Sequence, residues 1–242
     1  MKRGIIFLLL LVIAAITVTL YISASSTAGT AAEAKQTEVD GAPARETISP
    51  GDDIQQAIDD LPDGGSLILT EGEYNTLEAI VIENRKNLTI EGTGEVWLNT
   101  KGIDHHVITL TDCKNMTLSN LKAQHVILEE GDNDPIEDGR DGAVIGVIEG
   151  SNINLINCEL VGCGIYGVYA HAVTPLLLEG CYLHDNAKSA VLVTTDAKPV
   201  AVTIKDCNIT QNTGSIITKG DIDVKMEGKN IIERNSPADY GK

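Results

Sequence analysis

Six short segments of alternating apolar and polar residues recur along the chain. Their first and third residues are apolar, and the second is often Thr, Asn or Lys. This period of two predicts β-strands with one inward face. The third residues are spaced 28, 37, 23, 26 and 22 positions apart, a recurrence that predicts a solenoid of stacked rungs. These third residues, expected inside the solenoid, are Ile90, Leu118, Leu155, Leu178, Ile204 and Met226.

Aligning the segments on these residues reveals further columns of similar residue types. Three short strands per turn, separated by tight bends, fit a parallel β-helix of about seven rungs. No helix-period segment separates the repeats, which argues against leucine-rich and α/β solenoids. One column holds residues that tolerate a left-handed turn, namely Gly92, Asn120, Asn157, Gly180, Asp206 and Gly228. The next column holds Leu121, Cys158, Cys181 and Cys207.

Residues 52–69 predict a helix followed by the first strand. Asp52 or Asp53 is suited to cap the helix, and residues 62–65 (Pro-Asp-Gly-Gly) end it. Such a helix, near residues 53–61, covers the bare strand edges of the first rung. Its apolar face consists of Ile54, Ala57, Ile58 and Leu61.

The columns and this N-terminal segment resemble the right-handed parallel β-helix of the pectin lyase-like superfamily, over residues 48–235. The resemblance implies an all-β, single-stranded right-handed parallel β-helix with an N-terminal capping helix. It does not imply one function, because the superfamily includes lyases, hydrolases, epimerases and non-enzymatic modules.

The first 34 residues have the pattern of an export signal, since Lys2 and Arg3 precede an apolar run over residues 5–22. That run of 18 residues also suffices to span a bilayer, so a retained N-terminal anchor is the alternative. The Ala-rich flank, with a cleavage site at residues 32–34, favours export and an extracytoplasmic location, whether secreted, periplasmic or membrane-anchored. The predicted organisation is a signal or anchor (1–34), a flexible linker (35–47), the β-helix domain (48–235) and a C-terminal tail (236–242).

The chain is strongly acidic, with a formal net charge of −17. Such a surface repels nucleic acid and anionic lipid, so we expect no nucleic-acid partner and membrane contact only through the N-terminal segment. It also disfavours unaided binding of polyuronate chains, although divalent cations can bridge two such anions.

Five cysteines are present, an odd number for an exported protein. The column of Cys158, Cys181 and Cys207 favours reduced thiols buried on successive rungs. Because rungs are about 4.8 Å apart, a disulfide between neighbouring rungs is the alternative.

The longest repeat interval contains an acidic insertion at residues 129–142, of which seven are Asp or Glu. Asp132, Asp134, Asp138 and Asp141 supply oxygen ligands suited to calcium, although their spacing is not that of an EF-hand. A solvated acidic loop is the alternative interpretation.

The same insertion holds the weak catalytic candidates Asp134, Glu137, Asp138 and Arg140. Residues 134–137 (Asp-Pro-Ile-Glu) resemble the Asp-Pro-His-acid motif of alginate C5-epimerases, but Ile136 replaces the histidine that moves a proton. Arg140 is a candidate base or substrate clamp, and its alternative is simple pairing with nearby carboxylates.

Sugar-binding candidates follow the insertion. Tyr166, Tyr169 and His171 lie on the next rung, and aligning Tyr169 with Leu192 and Thr218 places its ring outward. A second outward line is predicted to consist of Lys122, Glu159, Tyr182, Asn208 and Asn230, of which Tyr182 is the fourth sugar-binding candidate. The remaining histidines, including His105 and His106, are interpreted as structural or surface residues.

Two classes of function remain open. The first is an exported, non-catalytic β-helix module that binds polysaccharide or a surface partner. The second is a carbohydrate-active enzyme, of polysaccharide lyase or epimerase type, that uses residues 129–142. After Ile232 the chain is too short for a second capping helix, so the final rung is expected to self-associate, to meet a partner protein, or to be covered by the tail around Pro237 and Tyr240.

Overall fold

Parallel strands wind the chain into a three-faced solenoid. The computed structural model describes residues 43–102, 104–126, 142–162, 165–196 and 199–235. In chain order the described elements are β1 (Arg45–Ile48), α1 (Ile54–Asp60), β2 (Ser66–Thr76), β3 (Ile80–Glu83), β4 (Thr89–Lys101), β5 (Ile108–Thr111), β6 (Lys114–Ser119), β7 (Lys122–Val126), β8 (Ala143–Ile148), β9 (Ser151–Ile156), β10 (Glu159–Val161), β11 (Tyr166–His171), β12 (Leu176–Glu179), β13 (Tyr182–His184), β14 (Ser189–Thr194), β15 (Val200–Lys205), β16 (Asn208–Thr210), β17 (Ile216–Lys219), β18 (Ile222–Glu227) and β19 (Ile231–Glu233).

Each complete rung contributes one strand to each face. The first face stacks β1, the start of β2, the start of β4, β6, β9, β12, β15 and β18. The second face stacks the ends of β2 and β4, then β7, β10, β13, β16 and β19. Because β2 and β4 bend from one face to the other, these two faces form a single 13-stranded sheet. The third face is a six-stranded sheet of β3, β5, β8, β11, β14 and β17. The predicted all-β parallel solenoid of about seven turns is confirmed.

The predicted inward column forms one continuous ladder on the first face. Ile90, Leu118, Leu155, Leu178 and Ile204 pair in register from rung to rung, and none is more than 3% exposed. Met226 continues the ladder, but the prediction that it lies inside was wrong, since it is 45% exposed. The described residues place no further rung beyond β18, so nothing among them covers this side chain.

The turn column follows the expected left-handed conformation at five of its six positions. Asn120 and Asn157 have φ of 55° and 52°, and Gly180, Asp206 and Gly228 also have positive φ. Gly92 does not have a positive φ, and it fits the column for a different reason: a Cβ there would lie 2.2 Å from the backbone oxygen of Asn120. Its small size therefore allows neighbouring bends to approach closely.

The cysteines of the described residues are free and buried. The thiols of Cys158, Cys181 and Cys207 donate to carbonyl oxygens of the preceding rung at 3.5, 3.2 and 3.4 Å. A hydrogen bond with Cys158, together with burial, raises the pKa of Cys181 to about 12, which keeps this thiol protonated at neutral pH. Reduced core thiols are therefore the form that the structure shows for this column, whereas Cys163 lies outside the described residues.

The short helix α1 covers the N-terminal end of the core. Asp53 is its cap, because its Oδ1 accepts from the backbone N of Gln56 at 3.0 Å. Asp52 instead accepts from the backbone N of Ser49 at 2.7 Å. The predicted apolar face of four residues is buried, which confirms the capping helix.

Replacing Leu178 by Asp should abolish cooperative unfolding of the domain. An unpaired charge in this fully buried position costs about 3–5 kcal/mol, a large part of the total stability of a typical domain. Leu177→Asp is the matched control, since Leu177 points outward between Asn154 and Thr203. Urea unfolding followed by circular dichroism should show a folded control and an unfolded or severely weakened Leu178→Asp variant. Equal stability of the two variants would contradict the assigned register.

A buried histidine makes stability depend on pH. His125 on β7 is 1% exposed, its Nε2 lies 2.7 Å from the carbonyl oxygen of His105, and burial lowers the pKa of His125 below the ordinary 6.5. The unfolded chain therefore binds a proton more readily, so this contribution to stability is complete above about pH 6.5 and is lost as pH falls below it.

We expect the His125→Gln variant to lose less unfolding free energy than the wild type between pH 7.5 and pH 5. Glutamine retains a donor for the carbonyl oxygen of His105 but does not titrate. Chemical unfolding at a series of pH values measures the two slopes, which differ by at most about 1.4 kcal/mol per pH unit. Identical slopes would show that His125 does not titrate differently in the folded state.

Candidate functional site

A cleft of about 290 Å³ opens on the outer surface of the third face, near its C-terminal end. We call it the third-face cleft. It is lined by His106, Tyr166, Tyr169, Leu192, Thr194 and Lys219. Five of these residues lie on β11, β14 and β17, and His106 lies in the segment that precedes β5.

Strand register places the aromatic ring of Tyr169 outward. The outward line of the third face consists of Gly146, Tyr169, Leu192 and Ile217. The expected alignment of Tyr169 with Thr218 was wrong by one residue, because the bend from β16 to β17 is one residue shorter than the bend from β13 to β14. Tyr169 is nevertheless on the predicted side of the strand.

His106 forms the wall of the cleft above β8. The backbone N of Ala143 donates to its Nδ1 at 2.9 Å, which leaves the proton of the neutral ring on Nε2. The ring lies directly over Gly146, where a Cβ would come within 2.2 Å of His106 Cδ2. The rings of His106 and Tyr169 are stacked, with centroids 6.1 Å apart and planes 24° from parallel. The missing side chain at Gly146 thus makes room for an aromatic pair.

His171 supports the rim of the cleft. Its column on the third face runs from Ile148 through His171 and Thr194 to Lys219. His171 Nδ1 is 2.8 Å from Thr194 Oγ1, and its Nε2 is 3.8 Å from Asp196 Oδ2. This contact orients the Thr194 hydroxyl, which is one of the lining groups.

Tyr182 lies on the second face, away from the other three sugar-binding candidates. Its ring stacks on His184 with a centroid distance of 4.0 Å. His184 in turn contacts Glu159 at 3.3 Å and Asp185 at 2.6 Å. The structure therefore brings Tyr166 and Tyr169 together, places His171 beside them, and leaves Tyr182 in a separate cluster.

The second face also carries a row of paired charges. Lys122 contacts Glu95 at 2.9 Å and Glu159 at 3.3 Å, and its ammonium lies 5.0 Å from the ring centroid of Trp97. The hydrogen bond to Glu95 raises the pKa of Lys122, and the same bond lowers the pKa of Glu95. These charges compensate one another, so the row is a surface ladder of ion pairs.

One member of the predicted outward line on the second face was wrong. Lys122, Glu159, Tyr182 and Asn208 pair in register, but Ile231 and not Asn230 continues the line. Asn230 instead turns toward the cysteine column, where its Oδ1 accepts from the backbone N of Cys207 at 2.9 Å.

Most of the acidic insertion lies outside the described residues. This applies to the catalytic candidates Asp134, Glu137, Asp138 and Arg140 and to the calcium candidates Asp132, Asp134, Asp138 and Asp141. Within the described ranges, no group of three or more His, Cys, Asp or Glu side chains is arranged to hold a metal ion. The backbone oxygen of Gly142, where the description resumes, accepts from Ile165 N at 2.8 Å, directly before Tyr166.

Sequence reasoning missed His106, Leu192, Thr194 and Lys219 as lining residues. His106 reaches the cleft from another rung, so no local pattern identifies it. The available signal was Gly146, because a glycine inside a strand often marks the close approach of another group.

The apolar run at residues 5–22 also lies outside the described ranges. Within those ranges, no helix is both long and apolar enough to cross a membrane.

Comparison with known proteins supports the fold. No curated protein matches the sequence. Four chains among the solved structures match, and one of them is a pectin methylesterase variant in complex with a hexasaccharide, with a TM-score of 0.47 and 14% identity. That match covers 74% of this chain and 66% of the other, so it spans just under two thirds of the enzyme's chain. A family model described as a right handed beta helix region matches residues 63–236, most of the sequence, and the protein belongs to the right-handed β-helix family.

Proposed function

We propose that the protein is an exported β-helix module that binds polysaccharide through the third-face cleft. The observation that carries this proposal is the stacked pair of His106 and Tyr169, which presents an aromatic surface beside hydroxyl and ammonium groups. The composition of residues 1–34 supports export.

The chemistry of the cleft matches that of a sugar ring. A pyranose has apolar C–H faces that pack on aromatic rings and a rim of hydroxyl groups that form hydrogen bonds. Tyr169 supplies the aromatic face, and the hydroxyls of Tyr166 and Thr194 supply polar partners. At about 290 Å³ the cleft is near the lower limit of small-molecule sites, which fits a short stretch of a saccharide chain.

Lys219 distinguishes the cleft from the acidic surface around it. It is exposed on β17, and the six described lining residues include this cation and no carboxylate. A local cation favours an acidic sugar at this position even though the chain as a whole repels polyanions. Binding of a uronate is then possible without a bridging divalent cation.

Replacing Tyr169 by Ala should weaken saccharide binding about ten-fold, because the variant loses the stacking surface. Tyr182→Ala is the matched control, since Tyr182 also stacks on a histidine but on the second face. Titration calorimetry with a panel of neutral and uronic oligosaccharides provides the measurement. If the two variants bind every panel member as tightly as the wild type does, the cleft is not the binding site.

Lys219→Gln should weaken binding of uronic oligosaccharides and leave binding of neutral ones unchanged. The exposed Lys219 contributes through charge, so its effect should shrink as salt rises from about 0.05 to 0.5 M. Parallel titrations at both salt concentrations separate this electrostatic contribution from stacking. Equal losses for neutral and uronic ligands would show that the ammonium does not select acidic sugars.

A second candidate is the carbohydrate-active enzyme that uses residues 129–142. The contact between Gly142 and Ile165 favours it, because the C-terminal end of the insertion adjoins Tyr166 in the cleft. An assay for reducing ends and unsaturated uronates over a polysaccharide panel, with and without calcium, tests it. Product that is lost in an Asp134→Asn, Asp138→Asn double variant would establish the enzyme, whereas binding without product supports the module.

A further inference from the structure

The two ends of the described solenoid differ in how their apolar side chains are covered. Helix α1 covers the N-terminal end, with Ile54, Ala57 and Ile58 buried against the core. At the other end, Met226, Ile231 and Ile232 are 45, 51 and 42% exposed. Within the described part of the chain, β18 has only β15 as a neighbour, and β19 has only β16. One edge of each terminal strand thus presents backbone groups and apolar side chains together.

Two asparagine side chains form hydrogen bonds at the bends of the last described rung, but not along its strands. Asn230 Nδ2 donates to the carbonyl oxygen of Ile204 at 3.0 Å, and Asn235 Nδ2 donates to that of Ile209 at 2.8 Å. These contacts give hydrogen-bond partners to the two carbonyl groups at the bends. The edge of β18 that has no neighbour among the described residues remains a template for another strand.

We propose that this edge pairs with β18 of a second copy of the chain, in antiparallel orientation about a two-fold axis at Val224. Strand β18 alternates inward Ile222, Val224 and Met226 with outward Asp223, Lys225 and Glu227. In an antiparallel pair centred on Val224, Asp223 lies opposite Lys225 of the second copy, and Lys225 lies opposite its Asp223. The two-fold axis therefore makes two ion pairs from one strand.

The inward side chains fit the same register. Ile222 lies opposite Met226 of the second copy, and the two Val224 side chains meet at the axis, so the exposed apolar end of each core covers the other. A register centred on Lys225 instead puts the two lysines opposite each other and Asp223 opposite Glu227. In the register at Val224, Glu227 lies at the strand end, opposite Asp221 of the second copy before its β18 begins. A register centred on Met226 also pairs opposite charges, Lys225 with Glu227, but it places Val224 opposite Gly228 and Ile222 beyond the strand of the second copy. The register at Val224 is therefore the one that combines ion pairs with apolar contacts along the strand.

Charge exchange tests this arrangement. Sedimentation velocity over a concentration series compares the wild type, Lys225→Glu, Asp223→Lys and the double exchange Asp223→Lys/Lys225→Asp. The protein used is the unit from Pro43 to Lys242, which forms a compact unit of its own. We expect a wild-type dimer, dissociation constants raised about ten-fold or more in each single variant, and recovery in the double exchange.

Lys114→Glu is the control, because Lys114 is an exposed cation on β6 of the same face but on an inner rung. It changes the net charge as Lys225→Glu does and should leave the dimer intact. Thermal unfolding of every variant at low concentration verifies that the monomer remains folded.

Three results would overturn the proposal. The first is a wild-type monomer at several hundred micromolar protein. The second is a dimer that is insensitive to both single charge changes. The third is a monomer that dimerises only after truncation at Asn235, which would show that residues 236–242 cover the edge instead. Saccharide titration of the same variants separates this proposal from the proposed function, because loss of the dimer need not affect the third-face cleft.

Discussion

The structure depends on the stacking of like side chains at intervals of one rung. An inward side chain on one strand has the same position of the next rung as its principal neighbour, about 4.8 Å away. Leu118, Leu155 and Leu178 illustrate this rule, since they pair in register and are fully buried. A rung cannot bury its apolar side chains alone, so the stability of each depends on its neighbours.

The bends also stack like residues on successive rungs, but these residues are polar or glycine and not apolar. A bend that must repeat at each rung needs residues that adopt a left-handed conformation and satisfy backbone groups, which explains Asn157, Gly180 and Asp206 in one column. The neighbouring cysteines donate their thiols to carbonyl oxygens of the rung before. The columns end where the rungs end, and there Asn230 replaces a cysteine as the closing residue.

This arrangement leaves the outward positions available for function. On the second face the outward residues neutralise one another, as Lys122 does between Glu95 and Glu159. On the third face Gly146 leaves room for His106 to lie against the sheet beside Tyr169. The shape of the cleft depends on the lack of a side chain at Gly146, and its position depends on the register of β11, β14 and β17.

The sequence was sufficient to predict the features that repeat. The apolar ladder, the turn column, the buried cysteines and the capping helix all rest on recurring or local patterns, and the structure confirms them. The sequence did not predict features that occur only once or that join residues of different rungs. The contact of His106 with β8 joins residues far apart in the chain, and the shift from Thr218 to Ile217 reflects a single shorter bend. Met226 occupies the inward position of the repeat, so the pattern predicted that it is buried. The repeat does not show that its rung is the last one described, where no further strand covers the side chain.

The central claim is that saccharide binds on the third face, and nuclear magnetic resonance of the protein with an oligosaccharide tests it most directly. Titration of isotope-labelled protein should shift the signals of residues around the third-face cleft, above all Tyr169, Thr194 and Lys219. Signals of the second face, such as those of Trp97 and Tyr182, should stay in place. Shifts confined to the second face, or no shifts with any saccharide of a broad panel, would contradict the account.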